Sequence, residues 1–197
     1  MLDIGCGANK APGSVGIDCR AFPGVDIIHD LEVLPWPLEP DAFDLVICSH
    51  VVEHVSDIPR FLREVHRVCA DGATVKIDTP HFSSLDSWTD PSHRQHLALR
   101  SFDFFCADGY LNDGAVFTVE SAALTFRKAL TSRIGEWLYR LSPRHYEQNA
   151  AYLFPARDIK VVLVAVKNGA RSRAADPRGA DPRGVSASRD AHSTASR

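Results

Sequence analysis

Five short apolar runs, each closed by polar residues or glycine, constrain the fold of this chain more than any other feature. They fall at residues 2–4, 15–17, 25–28, 45–48 and 75–77. None shows the clean apolar–polar alternation of a strand with one wet face, so they suit strands buried on both sides in a parallel sheet. Between the fourth and fifth runs, Ile58, Phe61, Leu62, Val65 and Val68 recur at helical spacing. Ser56 or Asp57 can cap the start of that helix, and Gly72 follows its end. Strand, helix and strand in this order require a right-handed crossover and predict an α/β fold. The first crossover is compressed into residues 8–14 and contains Pro12 and Gly13, so a loop or single turn is expected there.

The second half is less regular. Residues 92–108 predict one or two short helices, and 116–126 begin like a strand. Ile134, Trp137, Leu138 and Leu141 mark an amphipathic helix, and 159–166 form a strand apolar almost throughout. Composition changes near Asn168. Residues 169–197 hold ADPRG twice in tandem, no aromatic residue and almost no large aliphatic one. Such a segment cannot bury enough surface to offset its ordering entropy, so we expect one domain over 1–168 and a disordered tail over 169–197.

Bulk properties exclude some classes. The net charge is -3 and the pI about 6.3, so no global basic field exists to attract nucleic acid. Five scattered cysteines without a CxxC pair argue against a disulfide framework or a zinc ribbon, and fit a reducing cytoplasm. The opening Met-Leu-Asp-Ile-Gly has no signal-peptide pattern, and no apolar run is long enough to cross a bilayer. The oligomeric state is not encoded in any of these features.

Four local motifs carry chemistry. Leu2-Asp3-Ile4-Gly5-Cys6-Gly7 is a strand ending in Gly-x-Gly, which lets a ligand approach the backbone. A dinucleotide fingerprint would place a third glycine or alanine where Lys10 stands, which disfavours a nicotinamide cofactor. Asp18, at the end of the second run, can accept hydrogen bonds from ribose hydroxyls. His29-Asp30-Leu31 offers an acid for an adenine amino group and an aliphatic side chain for its ring face. The fourth run leads into Ser49-His50-Val51-Val52-Glu53-His54-Val55 at the carboxyl edge of the sheet, where ligands of open α/β sheets bind.

Together, LDIGCG, Asp18, HDLEVLPWP, FDLVICSHVVEHV and FLREVHRV resemble, in order and spacing, the methyltransferase type 11 group of the class I S-adenosylmethionine-dependent methyltransferases. The segments GCGANKAPG and PHFSSLDSWTDPSHR are similar to a narrower set of uncharacterised members. The likeness continues more loosely through Tyr146-Glu147 and Phe154-Pro155 to about Lys167. It implies a Rossmann-like, mostly parallel seven-stranded sheet flanked by helices, here with the first crossover shortened, and S-adenosyl-L-methionine as cofactor. It implies that Gly5, Cys6 and Gly7 approach the methionine part, with Asp3 supporting the loop. Asp18 then holds the ribose, Asp30 and Leu31 frame the adenine, and Ser49 and His50 lie near the sulfonium. Where the family carries Pro-Gly-Gly after the long helix, this chain has Ala70-Asp71-Gly72-Ala73, which affects a turn and not the site.

Two histidines, His50 and His81, are the candidate catalytic groups, because each follows a strand at the ligand edge and can take a proton from an acceptor. Phe82 and Trp88 are candidates to shape the acceptor pocket. The expected acceptor is a small molecule or a saccharide-linked one. No metal site is assigned. One alternative is a metal-dependent hydrolase built on His81, Asp90, His93 and His96; another is a cofactor-binding protein without turnover.

Overall fold

A computed structural model describes residues 1–167. The tail expected at 169–197 lies outside the described residues. Seven strands form one sheet in the order β3-β2-β1-β4-β5-β7-β6. They are β1 Leu2–Ile4, β2 Val15–Asp18, β3 Ile27–Ile28, β4 Phe43–Ser49, β5 Cys69–Pro80, β6 Val116–Leu124 and β7 Asp158–Val166. All pairings among β1 to β5 are parallel; β7 runs antiparallel between β5 and β6. The sheet is therefore mostly parallel.

Burial explains the short runs. Leu2, Ile4, Ile17, Val46, Val75, Ile77, Ile159 and Leu163 are all at or below 1% exposure. Burial on both faces, expected from the runs, holds for β1. In β4, β5 and β7 the alternate positions such as Ile47 and Val162 are half-buried, and Lys76 and Lys160 are exposed. Helix α1, Ile58–Val68, lies between β4 and β5 and buries Phe61, Leu62, Val65 and Val68. Each such side chain contributes about 1.5–3 kcal/mol when fully buried. Of the two residues able to cap α1, the N-cap is Asp57, whose carboxylate accepts the Arg60 N–H at 2.9 Å. Ser56 instead bonds Glu32 through its N–H and hydroxyl.

Several expectations need correction. Gly72 does not close α1: the helix ends at Val68 with Cys69 extended, and Gly72 lies within β5 at φ +77°. β5 is far longer than its apolar stretch, because β4 on one side and β7 on the other supply ladder partners along it. Residues 92–108 hold only a 3₁₀ turn, Ser101–Phe105; a short helix α2, Leu85–Thr89, precedes them. The amphipathic helix is α3, Leu130–Leu141, but Leu130, Ile134, Trp137 and Leu141 are exposed, and Ser132 and Gly135 face inward. The reason is close approach: a Cβ on Gly135 would lie 2.6 Å from the Phe154 carbonyl oxygen. Helix α4, Pro143–Asn149, follows and buries Tyr146.

The first crossover is a loop without a helix, as its length dictated. Asp3 stitches it by accepting the Ala11 N–H at 2.7 Å. The Gly5 N–H reaches Ile17 O at 2.8 Å. Among the described residues, no helix is long and apolar enough to cross a membrane, and all five cysteines are free thiols.

Candidate functional site

The strand order reverses at β1. From there the chain moves outward to β2 and β3, then returns to β4 on the other side of β1. Loops diverging from such a switch point leave a crevice at the carboxyl ends of the strands. A cleft of about 560 Å³ occupies this position, within the range of ordinary small-molecule sites. Gly5, Asp18, Asp30, Leu31 and His50 all line it. Five residues spread over the first fifty positions are thus gathered by the topology around one cleft. A second cavity of about 390 Å³ beside Phe102 and Phe105 has only Asp57 as a charged lining residue, and Asp57 is occupied as the α1 cap.

Gly5 begins one wall. Its φ of +63° lies in the left-handed region, and a Cβ there would sit 2.3 Å from Val51 Cγ2. Both facts require glycine. Asp18 organises the loop around it. One carboxylate oxygen accepts the Gly7 N–H and the other the Arg20 N–H, each at 2.9 Å. Two of the roughly four lone-pair sites of a carboxylate are thereby used, which leaves acceptor capacity for a diol.

Leu31 is held from behind by the HDLEVLPWP segment. Trp36 is buried edge-on against Phe61 of α1, and its indole N–H donates to Leu31 O at 3.1 Å. The Trp36 N–H in turn donates to buried Glu64, which Arg67 neutralises. Asp30 turns the chain by accepting the Glu32 N–H.

The other wall follows β4. His50 has φ +55°, a left-handed conformation that costs a non-glycine residue about 1–2 kcal/mol. Its N–H donates to Asp78 O at 2.8 Å, which holds the turn. The ring Nδ1 lies 3.2 Å from Glu53 Oε1. That hydrogen bond holds the His50 pKa above its ordinary value against the opposing effect of burial. Glu53 is 1% exposed, and Thr79 Oγ1 donates to its other oxygen at 3.1 Å. The sequence reading did not single out Glu53. The signal was an acid enclosed by valines three residues after a candidate histidine. The segment from Asp90 to Gln95 is strapped across this wall, since the Arg94 and Gln95 N–H groups both donate to Glu53 O.

Other expected residues lie elsewhere. Asp3, Cys6, Gly7 and Ser49 do not line the cleft. Asp3 and Cys6 are buried behind it, and burial, with Asp3 and Asp18 nearby, pushes the Cys6 thiol pKa up. His81 is fully buried. Its Nδ1 accepts the Ser83 N–H at 3.3 Å, and its Nε2 faces Glu147 Oε1 at 3.0 Å. Glu147 also accepts the Leu99 N–H at 2.8 Å. Burial works to raise the Glu147 pKa, but the bonds from His81 and Leu99 outweigh it and hold the carboxylate low. As placed, His81 has no face on the cleft and no free nitrogen.

The set His81, Asp90, His93 and His96 is not brought together. His81 is occupied with Glu147, and His96 stacks on Trp88 with ring centroids 3.6 Å apart. Phe82 packs on His81, and neither Phe82 nor Trp88 lines the cleft.

Comparison with known proteins agrees with this architecture. Residues 14–77 match the model of a family described as a methyltransferase domain, type 11. That match covers about a third of the chain, from the second run to the strand β5. Ajmaline N-methyltransferase of Rauvolfia serpentina is 40% identical over 39% of this chain and 34% of its own length. The chain thus spans about a third of that curated relative. The S-adenosylmethionine-dependent methyltransferase of Archaeoglobus fulgidus superposes with TM-score 0.55 and 20% identity over 83% of this chain and 84% of that one. That of Mesorhizobium loti gives 0.54 and 18% over 83% and 89%. These two likenesses concern the fold.

Proposed function

We propose that the cleft binds S-adenosyl-L-methionine and that the chain transfers its methyl group to a small-molecule or saccharide-linked acceptor. The observation that carries this reading is the convergence of Gly5, Asp18, Asp30 and Leu31 at the β1 switch point. These residues fit the cofactor chemically. Gly5 keeps the backbone free of a side chain where the methionine part passes. Asp18 retains lone pairs for the ribose diol, and its two backbone bonds fix its direction. Asp30 offers a carboxylate to the adenine amino group, and Leu31 offers an apolar face to the ring.

When bound, the cofactor supplies an electrophilic methyl carbon, which moves to the acceptor as the carbon–sulfur bond breaks. The chain's share of the rate is placement of the acceptor behind that carbon. Of the two candidate histidines, His50 faces the cleft. Its Nδ1 is directed at Glu53, so Nε2 remains to accept a hydrogen bond from the acceptor. Asp3, Cys6, Gly7 and Ser49 support the loop and the strand end in this reading. His81 is a structural residue in it.

The small-molecule part of the reading rests on the plant relatives, named for N-methylation of ajmaline and norajmaline. The test is methyl transfer from labelled cofactor into a panel of amines, phenols and saccharide conjugates. Label in any product, lost in His50→Ala, supports the proposal. Tight cofactor binding with no transfer to any fraction of the panel or of a cell lysate contradicts it and favours a cofactor-binding protein without turnover.

A further inference from the structure

We infer that Glu53, His54 and His93 form a binding site for one divalent transition-metal ion beside the cleft. A ligand atom from each of these residues lies within 4.8 Å of the others. Closing them onto an ion at about 2.0–2.2 Å needs side-chain shifts on the order of an ångström. Of the three, only His93 belonged to the donor set read from the sequence.

The hydrogen bonds around the histidines prepare them for this role. His93 Nδ1 lies 3.0 Å from Ser87 O. A carbonyl only accepts, so Nδ1 carries the proton and Nε2 presents its lone pair. The hydroxyl of Ser92 spends its proton on Asp90 Oδ1 at 2.6 Å. It therefore accepts from His54 Nδ1, 3.1 Å away, and His54 Nε2 is likewise left with its lone pair. Outer hydrogen bonds that fix the tautomer and orient the ring are the usual support of metal-ligating histidine. The two rings sit 4.7 Å apart, centroid to centroid, which brings the pair into one site.

Glu53 supplies the charge. Its carboxylate is almost fully buried, and its partners are the neutral Thr79 hydroxyl and the His50 ring. A buried carboxylate gains from nearby positive charge, and a cation on this side would add to what His50 supplies on the other. Two imidazoles and one carboxylate suit zinc and its first-row neighbours more than magnesium or calcium, which take oxygen donors. Three protein ligands leave a fourth position open, and His54 borders the cleft. Asp90 Oδ2, 3.9 Å from His93 Nε2, stands next to the site as a further carboxylate.

The test uses full-length protein stripped with a chelator and titrated calorimetrically with zinc in the absence of S-adenosylmethionine. One ion per chain is expected. His54→Ala and His93→Ala should each weaken binding by about tenfold or more, a loss on the scale of perturbed metal sites. His96→Ala, which removes a ring stacked outside the site, should leave it unchanged. Glu53→Gln preserves shape and should also weaken binding, and circular dichroism and melting confirm that each variant is folded. Parent protein that binds no zinc overturns the inference without reference to any variant. So does equal binding by the parent, His54→Ala and His93→Ala, or a loss in His96→Ala as large as theirs. Because the cofactor is absent, the outcome is independent of the methyl-transfer reading.

Discussion

Replacing His81 with alanine should unsettle the fold and spare the cofactor site. The imidazole is completely enclosed and packs at a tilt on Phe82 with centroids 4.2 Å apart. Its loss removes one hydrogen bond to an ionised Glu147, worth about 1.5–3 kcal/mol. It also opens a void the size of a ring; deletion of a buried phenyl ring costs about 3–5 kcal/mol, void included. The two effects overlap, so we expect about 3–5 kcal/mol in all. At about 2–4 °C per kcal/mol for a domain of this size, the melting temperature should fall by about 6–20 °C. Glu147→Ala should destabilise too, and the double variant should lose less than the two single losses combined, with a coupling of about 0.5–3 kcal/mol. Denaturant titration followed by circular dichroism measures all four proteins. Calorimetry below the melting range should give parental S-adenosylmethionine affinity in His81→Ala. A variant stable to within about 1 kcal/mol of the parent, yet unable to turn over, would refute this reasoning and return His81 to the reaction.

Other expectations follow from the same geometry. Gly5→Ala should lower both stability and cofactor affinity, since φ +63° alone costs about 1–2 kcal/mol and the new Cβ meets Val51; melting and calorimetry together check it. His66 is half-buried beside Phe117, and burial holds its pKa below the ordinary histidine value despite its contact with Val166 O. The unfolded chain therefore binds a proton that the folded chain resists. The His66 contribution is full above about pH 6.5 and is lost as pH falls through the lowered folded value. Denaturation curves of parent and His66→Gln between pH 5 and pH 8 should thus converge toward the acid end.

The central strands were legible because one fully buried face, as at Leu2, Ile4, Val46 and Val75, alternates with half-buried positions that are still apolar, such as Leu45 and Ile47. Their ends were not. β5 continues through Asp78, Thr79 and Pro80 because β4 and β7 provide backbone partners, a property of neighbours and not of the segment itself. α4 has seven residues and buries only Tyr146, too little for a periodic pattern. The gathering of Gly5, Asp18, Asp30 and Leu31 at one cleft was legible because each stands at or just after the carboxyl end of a short strand; the cofactor contacts assigned to them are part of the proposal. His81 was misread because position at a strand's carboxyl end does not reveal which face is later covered. Here residues 97–99 and α4 cover it, through the bridge to Leu97 and the bond to Glu147. Glu53 and His54 lie about forty residues before His93 in the chain, and they meet it through the bonds of Arg94 and Gln95 to Glu53 O and of His54 to Ser92.

The most direct measurement is calorimetric binding of S-adenosylmethionine to the parent and to Asp18→Ala. The parent should bind one equivalent, and NADH should not compete. Asp18→Ala should lose about 1.5–3 kcal/mol of affinity, because its carboxylate would hold the ribose diol through charge-assisted hydrogen bonds. The variant should also melt lower, since Asp18 ties together the N–H groups of Gly7 and Arg20. A folded parent that binds no S-adenosylmethionine, or an Asp18→Ala variant that binds it as tightly as the parent, would contradict the account.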